Sequence, residues 1–243
     1  MKVQTLMKTT TTRTSLLSLA ALAPLAAVAV ANAGLAFSFA DPTPGKQLHN
    51  VQDNHAGAGT GLMTYDQDAA ITFLVDGSTE ANPFTTSWTN ARMEMNMTVF
   101  TGSTSAGVFS APVSGFFRIY DANTGATIVR GDATGGAFLR FAGTSTILLS
   151  SDSGFAYTFG QALIDALAFY GNAGSSPFDP QEGSFSLTDA VAVNGGDIIG
   201  EGGVVQSFDA NASFSGNTET IPAPGALALL SVAGLVSARR RRA

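Results

Sequence analysis

Alternation between apolar and polar residues dominates the chain between its two ends. The clearest case is the segment 92–101, in which three methionines and Val99 alternate with polar side chains. When apolar and polar residues alternate, one side of a strand faces a core and the other faces solvent. An amphipathic helix instead needs apolar residues three and four positions apart. We therefore predict a half-buried β-strand over this segment.

Two pairs of β-rich runs are predicted to form hairpins. The runs 115–120 and 126–130 flank a loop that contains Asn123, and the runs 137–141 and 145–150 flank a short loop with glycine. Asn and Gly are favoured where a hairpin turn needs unusual backbone angles. Further strands are predicted at 35–39, 70–76, 183–187, 191–193 and 204–214.

Three segments are harder to interpret from the pattern alone. In 160–170 the apolar residues keep helical spacing, but the segment is short and flanked by glycine, so helix and strand both stay open. We favour a strand because every neighbouring segment is predicted to be β. The Gly-rich segment 49–64 is predicted to be a mobile loop, and the two prolines of 177–180 predict another loop.

About a dozen short strands separated by frequent turns predict an all-β fold: an antiparallel sandwich or jelly-roll-like single domain. The fixed period of a solenoid or propeller is absent from the sequence. The predicted organisation is a signal peptide at 1–33, a β-sandwich domain at 34–220 and a sorting or anchor segment at 221–243. A signal helix and a short apolar helix are thus expected to flank the domain.

The N-terminus has the three parts of a secretory signal peptide. A cationic start precedes an apolar run at 16–31, and Ala31 and Ala33 are small residues at the positions that a signal peptidase requires. Cleavage is therefore predicted before Gly34. Pro24 lies inside the apolar run and disfavours an uninterrupted membrane helix.

Removal of both ends makes the remaining chain strongly acidic. The signal segment and the tail hold seven of the 12 Lys and Arg residues, which leaves five cations against all 18 Asp and Glu, a net charge of −13. Such a surface repels nucleic acid and anionic lipid, so no nucleic-acid partner is expected. Cysteine is absent, which excludes disulfides, a thiolate nucleophile and Cys-ligated metals.

The candidate catalytic residues do not form a recognisable set. His49 and His55 both lie in the Gly-rich segment, and the sequence contains no Gly-x-Ser-x-Gly nucleophile motif. The carboxylates considered for a glycosidase pair are Glu94, Asp66, Asp68, Glu182 and Glu201. Trp88 is the single tryptophan, so the sequence offers few aromatic side chains of the kind on which sugar rings stack. We therefore predict a protein that is not an enzyme.

Calcium is the one cofactor that the sequence suggests, and the signal is partial. Asp121, Asn123 and Gly125 match the start of a calcium loop, and Asp66 and Asp68 form a second close pair of oxygen ligands. A complete loop needs further oxygen ligands and a terminal glutamate, and none follows at that spacing. A hairpin turn explains these residues without metal, so we predict no cofactor.

The C-terminal tail combines a rigid junction, an apolar helix and a cationic end. Pro222 and Pro224 prevent a helix from crossing the junction, and the uncharged segment 225–238 would span about 21 Å as a helix, short of the ~30 Å bilayer core. The basic end consists of Arg239, Arg240, Arg241 and Arg242. Four arginines resist translocation, so this end is expected to stay inside while the domain lies outside.

This tail resembles the PEP-CTERM sorting signal of bacterial surface proteins, which is also catalogued as an ice-binding-protein C-terminal domain. Pro222 and Pro224 match the prolines of its Pro-Glu-Pro motif, and Ala223 departs from it as a Pro-Ala-Pro variant. The resemblance implies recognition by an exosortase-like enzyme, cleavage near the motif, and transfer to a surface rich in exopolysaccharide and biofilm. It covers only about 22 of the 243 residues.

These observations favour an exported, non-enzymatic protein of the cell surface or extracellular matrix, tethered through its C-terminal helix before processing. Its expected partners are signal peptidase, an exosortase-like enzyme, the membrane and exopolysaccharide. One alternative is a carbohydrate- or calcium-binding β-sandwich module or an adhesin. A secreted hydrolase is the second alternative.

Overall fold

The computed structural model describes residues 33–40 and 45–221. The predicted signal peptide up to residue 32 and the predicted sorting segment from Pro222 onward lie outside the described residues. All described residues belong to one compact unit. None of the helices in this part of the chain is long and apolar enough to cross a membrane.

The described residues form thirteen antiparallel strands and one α-helix, so the prediction of an all-β antiparallel sandwich is confirmed. The first seven strands are β1 (Gly34–Phe39), β2 (Leu48–Gln52), β3 (Gly61–Tyr65), β4 (Ile71–Gly77), β5 (Phe84–Val99), β6 (Ser103–Ser105) and β7 (Val108–Asp121). The remaining six are β8 (Thr127–Ala133), β9 (Ala137–Phe141), β10 (Thr144–Ser150), β11 (Phe155–Phe159), β12 (Ser176–Ala192) and β13 (Phe208–Ile221). The helix α1 spans Gln161–Phe169, and two single 3-10 turns lie at Ser151–Ser153 and Glu201–Gly203.

Long strands join the two layers of the sandwich. One layer has the order β4-β1-β13-β12-β10, and the other contains β5, β7, β8 and β11. β5 belongs to both layers because its first half pairs with β4 and its second half pairs with β7. The register between β4 and β5 shifts at Ile71 and Phe73, the kind of irregularity that bends a strand around a corner.

Aromatic side chains from both layers meet in the core. The ring of Phe117 on β7 lies 5.2 Å from that of Phe185 and 5.1 Å from that of Phe214, both in the opposite layer. Phe37 on β1 packs edge-on against Tyr157 on β11 at 5.0 Å. Burial of rings of this size supplies most of the stability that a chain without disulfides needs.

The strands predicted from the apolar pattern are present, except that β13 begins at Phe208 and not at residue 204, and residues 191 and 192 of the segment 191–193 form the end of β12. On β5, Met93, Met95, Met97 and Val99 are buried while the intervening polar residues are partly or fully exposed. The two predicted hairpins are also present, as β7–β8 and β9–β10. These segments were predictable because one face of each strand lies on the core and the other in solvent.

The interpretation of 160–170 as a strand is wrong, because the structure has α1 there. Leu163 and Leu167, four residues apart, are fully buried, as the helical spacing indicates. Gly160 is the N-cap, and its amide donates to the carbonyl of Ile128 on β8. Helical periodicity therefore decided the local structure against the β character of the neighbouring segments.

Two predicted loops are also wrong in part. Residues 49–52 and 61–64, half of the segment, belong to the strands of the β2–β3 hairpin, and residues 53–60 form the loop between them. The segment 177–180 lies within β12, which pairs with β13 through a register shift between Phe178 and Gln181. That irregularity accommodates Pro180, which has no amide hydrogen for the ladder.

Candidate functional site

An open pocket lies on the solvent face of the layer β4-β1-β13-β12-β10. Two rows of outward-facing residues cross all five strands in register. One row is Leu74, Ser38, Ser215, Ser184 and Leu148, and the other is Asp76, Ala36, Asn217, Glu182 and Ser150. Together they line a depression of about 690 Å³, which we call the trough.

The shape of the trough follows from side-chain size. In one row the floor consists of the short side chains of Ser38, Ser215 and Ser184. The walls of this row are Leu74 and Leu148, which are 39% and 44% exposed. The two wall strands are four strand spacings apart, about 19 Å. The trough is thus wide and open, with a polar floor between two aliphatic walls.

A pair of glycines supports the floor from beneath. Gly183 and Gly216 are direct cross-strand partners, and their missing side chains leave room for the phenol of Tyr157 from the opposite layer. The Tyr157 hydroxyl donates to the carbonyl oxygen of Glu182 at 2.8 Å. Burial raises the pKa of Tyr157 well above its ordinary value, and the charge of Glu182 adds to the effect. The phenol therefore stays neutral and keeps its donor.

The trough continues towards the ends of β1 and β13. A second pocket of about 340 Å³ shares Ala36, Asp76, Glu182 and Asn217 with it and reaches Gly34. Gly34, the predicted first residue after signal cleavage, is also the first residue of β1. The amide of Thr220 donates to the carbonyl of Ala33, so both ends of the described domain meet beside this extension.

The polar groups of the trough are acidic or neutral, and several of them are already bonded within the protein. Asp76 accepts a bond from the amide of Ser78, and the hydroxyls of Ser184 and Ser215 pair at 3.0 Å. The side chains of Glu182 and Asn217 have no hydrogen bond or ion pair within residues 33–40 and 45–221. Among the described lining residues there is no Lys or Arg. The trough therefore offers donors and acceptors to a ligand but repels anions.

The outer face of the opposite layer has a different character. Arg118 donates to Thr127 at 2.8 Å and lies 3.5 Å from Glu94, while Arg130 makes a bidentate pair with Asp132 at 2.7 and 2.8 Å. The guanidinium of Arg118 stacks on Tyr120, and that of Arg130 stacks 3.9 Å from the ring centre of Phe116. We call this surface of β5, β7 and β8 the arginine face. The charges of Arg118 and Arg130 are paired with those of Glu94 and Asp132.

His49, a candidate from the sequence, lies between two carboxylates. It sits on β2 directly opposite Asp209 of β13, with its Nδ1 2.7 Å from Asp209 and its Nε2 3.2 Å from Asp66. Partial burial disfavours the charged imidazole, but the hydrogen bonds to Asp209 and Asp66 outweigh burial and raise the pKa of His49. The arrangement favours the charged form of the histidine, which joins β2 to β13.

His55 forms an acid–histidine–hydroxyl chain. Its Nδ1 lies 2.6 Å from Asp53 and its Nε2 lies 2.9 Å from the hydroxyl of Thr98. The hydrogen bond with His55 lowers the pKa of Asp53. With the proton on Nδ1, the hydroxyl of Thr98 donates to Nε2, which is the order of a nucleophile, base and acid.

The surroundings of this chain differ from those of a hydrolase site. The amides of the 53–60 loop already donate within the loop, among them those of Asn54 to Thr60 and of Gly59 to Asn54. An oxyanion site needs free amides beside the nucleophile. Thr98 also lies on a regular strand, not on a sharp turn.

The residues proposed for calcium are engaged in turns and pairs. Asp121 accepts bonds from the amide and side chain of Asn123 and from the hydroxyl of Thr124, while Asp66 contacts His49 and Asp68 lies in the turn before β4. Within the part of the chain that the structure describes, no cluster of three or more His, Asp or Glu residues could hold a metal ion.

The remaining sequence candidates lie apart from the trough, with one exception. Glu94 pairs with Arg118, Glu201 lies in a 3-10 turn, and Trp88 packs against the core. Glu182 is the exception, since it lines the trough. Ala31 and the sorting residues Pro222, Ala223, Pro224 and Arg239 to Arg242 lie outside the described residues.

The trough itself was missed in the sequence. Its signal is a run of small or polar residues at alternate positions of three strands, for example Ser184 on β12 and Ser215 on β13. Such residues are ordinary on a solvent face until the strand order is known. No protein-family model, curated protein or solved structure matches this chain.

Proposed function

We propose that this is an exported, non-enzymatic protein of the cell surface or extracellular matrix that acts by binding through the trough. The observation that carries the proposal is the trough itself, an open pocket in which the side chains of Glu182 and Asn217 lack partners among the described residues. Pockets of this volume are typical of ligand sites. The signal peptide and the PEP-CTERM-like tail support delivery to the surface by signal peptidase and an exosortase-like enzyme, with the membrane as a transient or permanent tether.

Mass spectrometry of the protein recovered from its host tests the delivery. We expect a new N-terminus at Gly34 and a C-terminus within or near Pro222 to Pro224, with any attached glycan or lipid visible as added mass. A Pro222→Ala, Pro224→Ala variant should keep the first cleavage and lose the second. Recovery of both natural ends intact, from the cytoplasm, would contradict the proposal.

A secreted hydrolase is the second candidate, favoured by the chain of Asp53, His55 and Thr98. If it is correct, the full-length protein cleaves esters, and His55→Ala and Thr98→Val each abolish turnover. His49→Ala is the matched control, because His49 also pairs with carboxylates but has no hydroxyl partner. Equal rates for the natural protein and the His55→Ala variant would remove this candidate.

Assembly as an adhesin through sheet edges has less support. β11 pairs only with β8 among the described strands and therefore presents an edge. The amide of Tyr157 on this edge already donates to Oε1 of Gln181 at 2.6 Å. A side chain bonded to the edge hinders the addition of another strand.

A further inference from the structure

We infer that the trough binds a strand of neutral polysaccharide that lies across the outer faces of β1, β13 and β12. This inference rests on the proposed function and adds the chemical class of the ligand. It is carried by three properties of the trough: a floor without free backbone groups, carboxylates without cations, and polar side chains between aliphatic walls.

The floor excludes recognition of a peptide by strand addition. β1 pairs with β4 and β13, and β12 pairs with β13 and β10, so the backbone bonds of these strands are used within the sheet. A peptide that adds as a strand needs an open sheet edge. A ligand of the trough must therefore contact side chains on the sheet face.

The charge of the trough excludes anionic polymers. Asp76 on β4 and Glu182 on β12 lie in the same row, with Ala36 and Asn217 between them. Their carboxylates face a pocket whose described lining has no cation. An anionic glycan or a nucleic acid would bring like charges together there and is repelled.

The side chains that remain fit a chain of uncharged sugars. Glu182 accepts hydrogen bonds and Asn217 both donates and accepts them, which are the bonds that sugar hydroxyls make. Leu74 and Leu148 present aliphatic surface to the C–H faces of sugar rings. Hydroxyl-rich polymers carry both kinds of surface, so they use the floor and the walls together.

The support beneath the floor keeps the site in one shape. Gly183 and Gly216 lie over the buried phenol of Tyr157, which holds the carbonyl of Glu182 in place. A preformed site loses little conformational entropy on binding. Aromatic rings are absent from the solvent face of the trough among its described lining residues, so each sugar contact is weak and binding requires several sugar units to lie in the trough at once.

The test measures binding of the full-length protein, purified in detergent micelles, to dextran and mannan as neutral polymers and to alginate as an anionic one. Ser215→Tyr places a large side chain on the trough floor, and Asn217→Ala removes a polar contact without added bulk. Ser110→Tyr is the matched control, since Ser110 is an exposed residue of β7 outside the trough. Thermal melts of each variant establish that it is folded.

We expect binding to at least one neutral polymer, no binding to alginate, and a loss of about tenfold or more in affinity for both trough variants, with the control unchanged. Absence of binding to both neutral polymers, preference for alginate, or equal affinity of Asn217→Ala and the natural protein would overturn the inference. These outcomes leave the mass-spectrometric test of export untouched, so failure of the ligand class and failure of the proposed function are distinguishable.

Discussion

The two outer faces of the sandwich differ in how their polar groups are satisfied. On the arginine face, Arg118 and Arg130 are bonded to acceptors and stacked on rings, so little is left for a ligand. In the trough, Glu182 and Asn217 face solvent without a side-chain partner in the described residues. The difference indicates that the arginine face stabilises the fold, whereas the trough is available for binding.

The largest effect is expected beneath the trough. In Gly216→Ala the new Cβ would collide with the Tyr157 hydroxyl and lie 2.9 Å from the carbonyl oxygen of Glu182. Overpacking of this kind lowers the free energy of unfolding by about 1–3 kcal/mol, as urea denaturation would show. Tyr157→Phe in the same background removes the oxygen that collides and should restore part of the loss. If the double variant is no more stable than Gly216→Ala, the phenol does not occupy the space beneath the glycine pair.

The arginine face should affect stability without affecting binding. Arg130→Ala removes the pair with Asp132 and the stacking on Phe116, and we expect a loss of about 1 kcal/mol in the free energy of unfolding. Urea denaturation measures the loss, and affinity for neutral polysaccharide should be unchanged. Weaker binding by this variant would indicate that the ligand contacts the arginine face and not the trough.

His49 predicts a pH dependence of stability. Because the folded-state pKa of His49 is raised above 6.5, its contribution is fully present below pH 6.5 and is lost as pH rises through the folded-state value. His49 and its partners Asp66 and Asp209 are partly exposed, so the change in the free energy of unfolding should stay below about 1 kcal/mol. Urea midpoints between about pH 6 and pH 8 measure it. His49→Gln should flatten this part of the profile, and an unchanged slope would show that other groups cause it.

The smallest effect on stability is expected in the trough. Glu182→Gln leaves the backbone carbonyl that binds Tyr157 in place and alters only an unpaired, exposed side chain. The free energy of unfolding should change by no more than about 0.5 kcal/mol. Alginate, repelled by the natural protein, should become less strongly excluded. A large loss of stability would mean that the carboxylate has a structural role.

The sequence predicted the strands that lie half on the core. The methionines of β5 and the alternate apolar residues of β13 marked such strands, because burial on one face leaves a period of two. The prediction of a strand at α1 was wrong because it gave more weight to the β character of the neighbouring segments than to the helical spacing of Leu163 and Leu167. The β2–β3 hairpin was also missed, since its glycines resemble those of a mobile loop.

The trough was beyond prediction from sequence because it depends on distant pairing. Gly34 pairs with Glu219, and Ser38 with Ser215, so residues at opposite ends of the domain form one floor. Local propensity carries no information about such partners. The His49 contacts were hidden for the same reason, since Asp209 lies on β13.

The most direct test of the division between the two faces is a map of backbone amide chemical shifts of the full-length protein on addition of dextran or mannan. We predict shifts concentrated in β1, β12 and β13 around Ser184, Ser215 and Asn217, with the amides around Arg118 and Arg130 unchanged. Shifts centred on the arginine face, or no shifts with either polymer, would contradict the account.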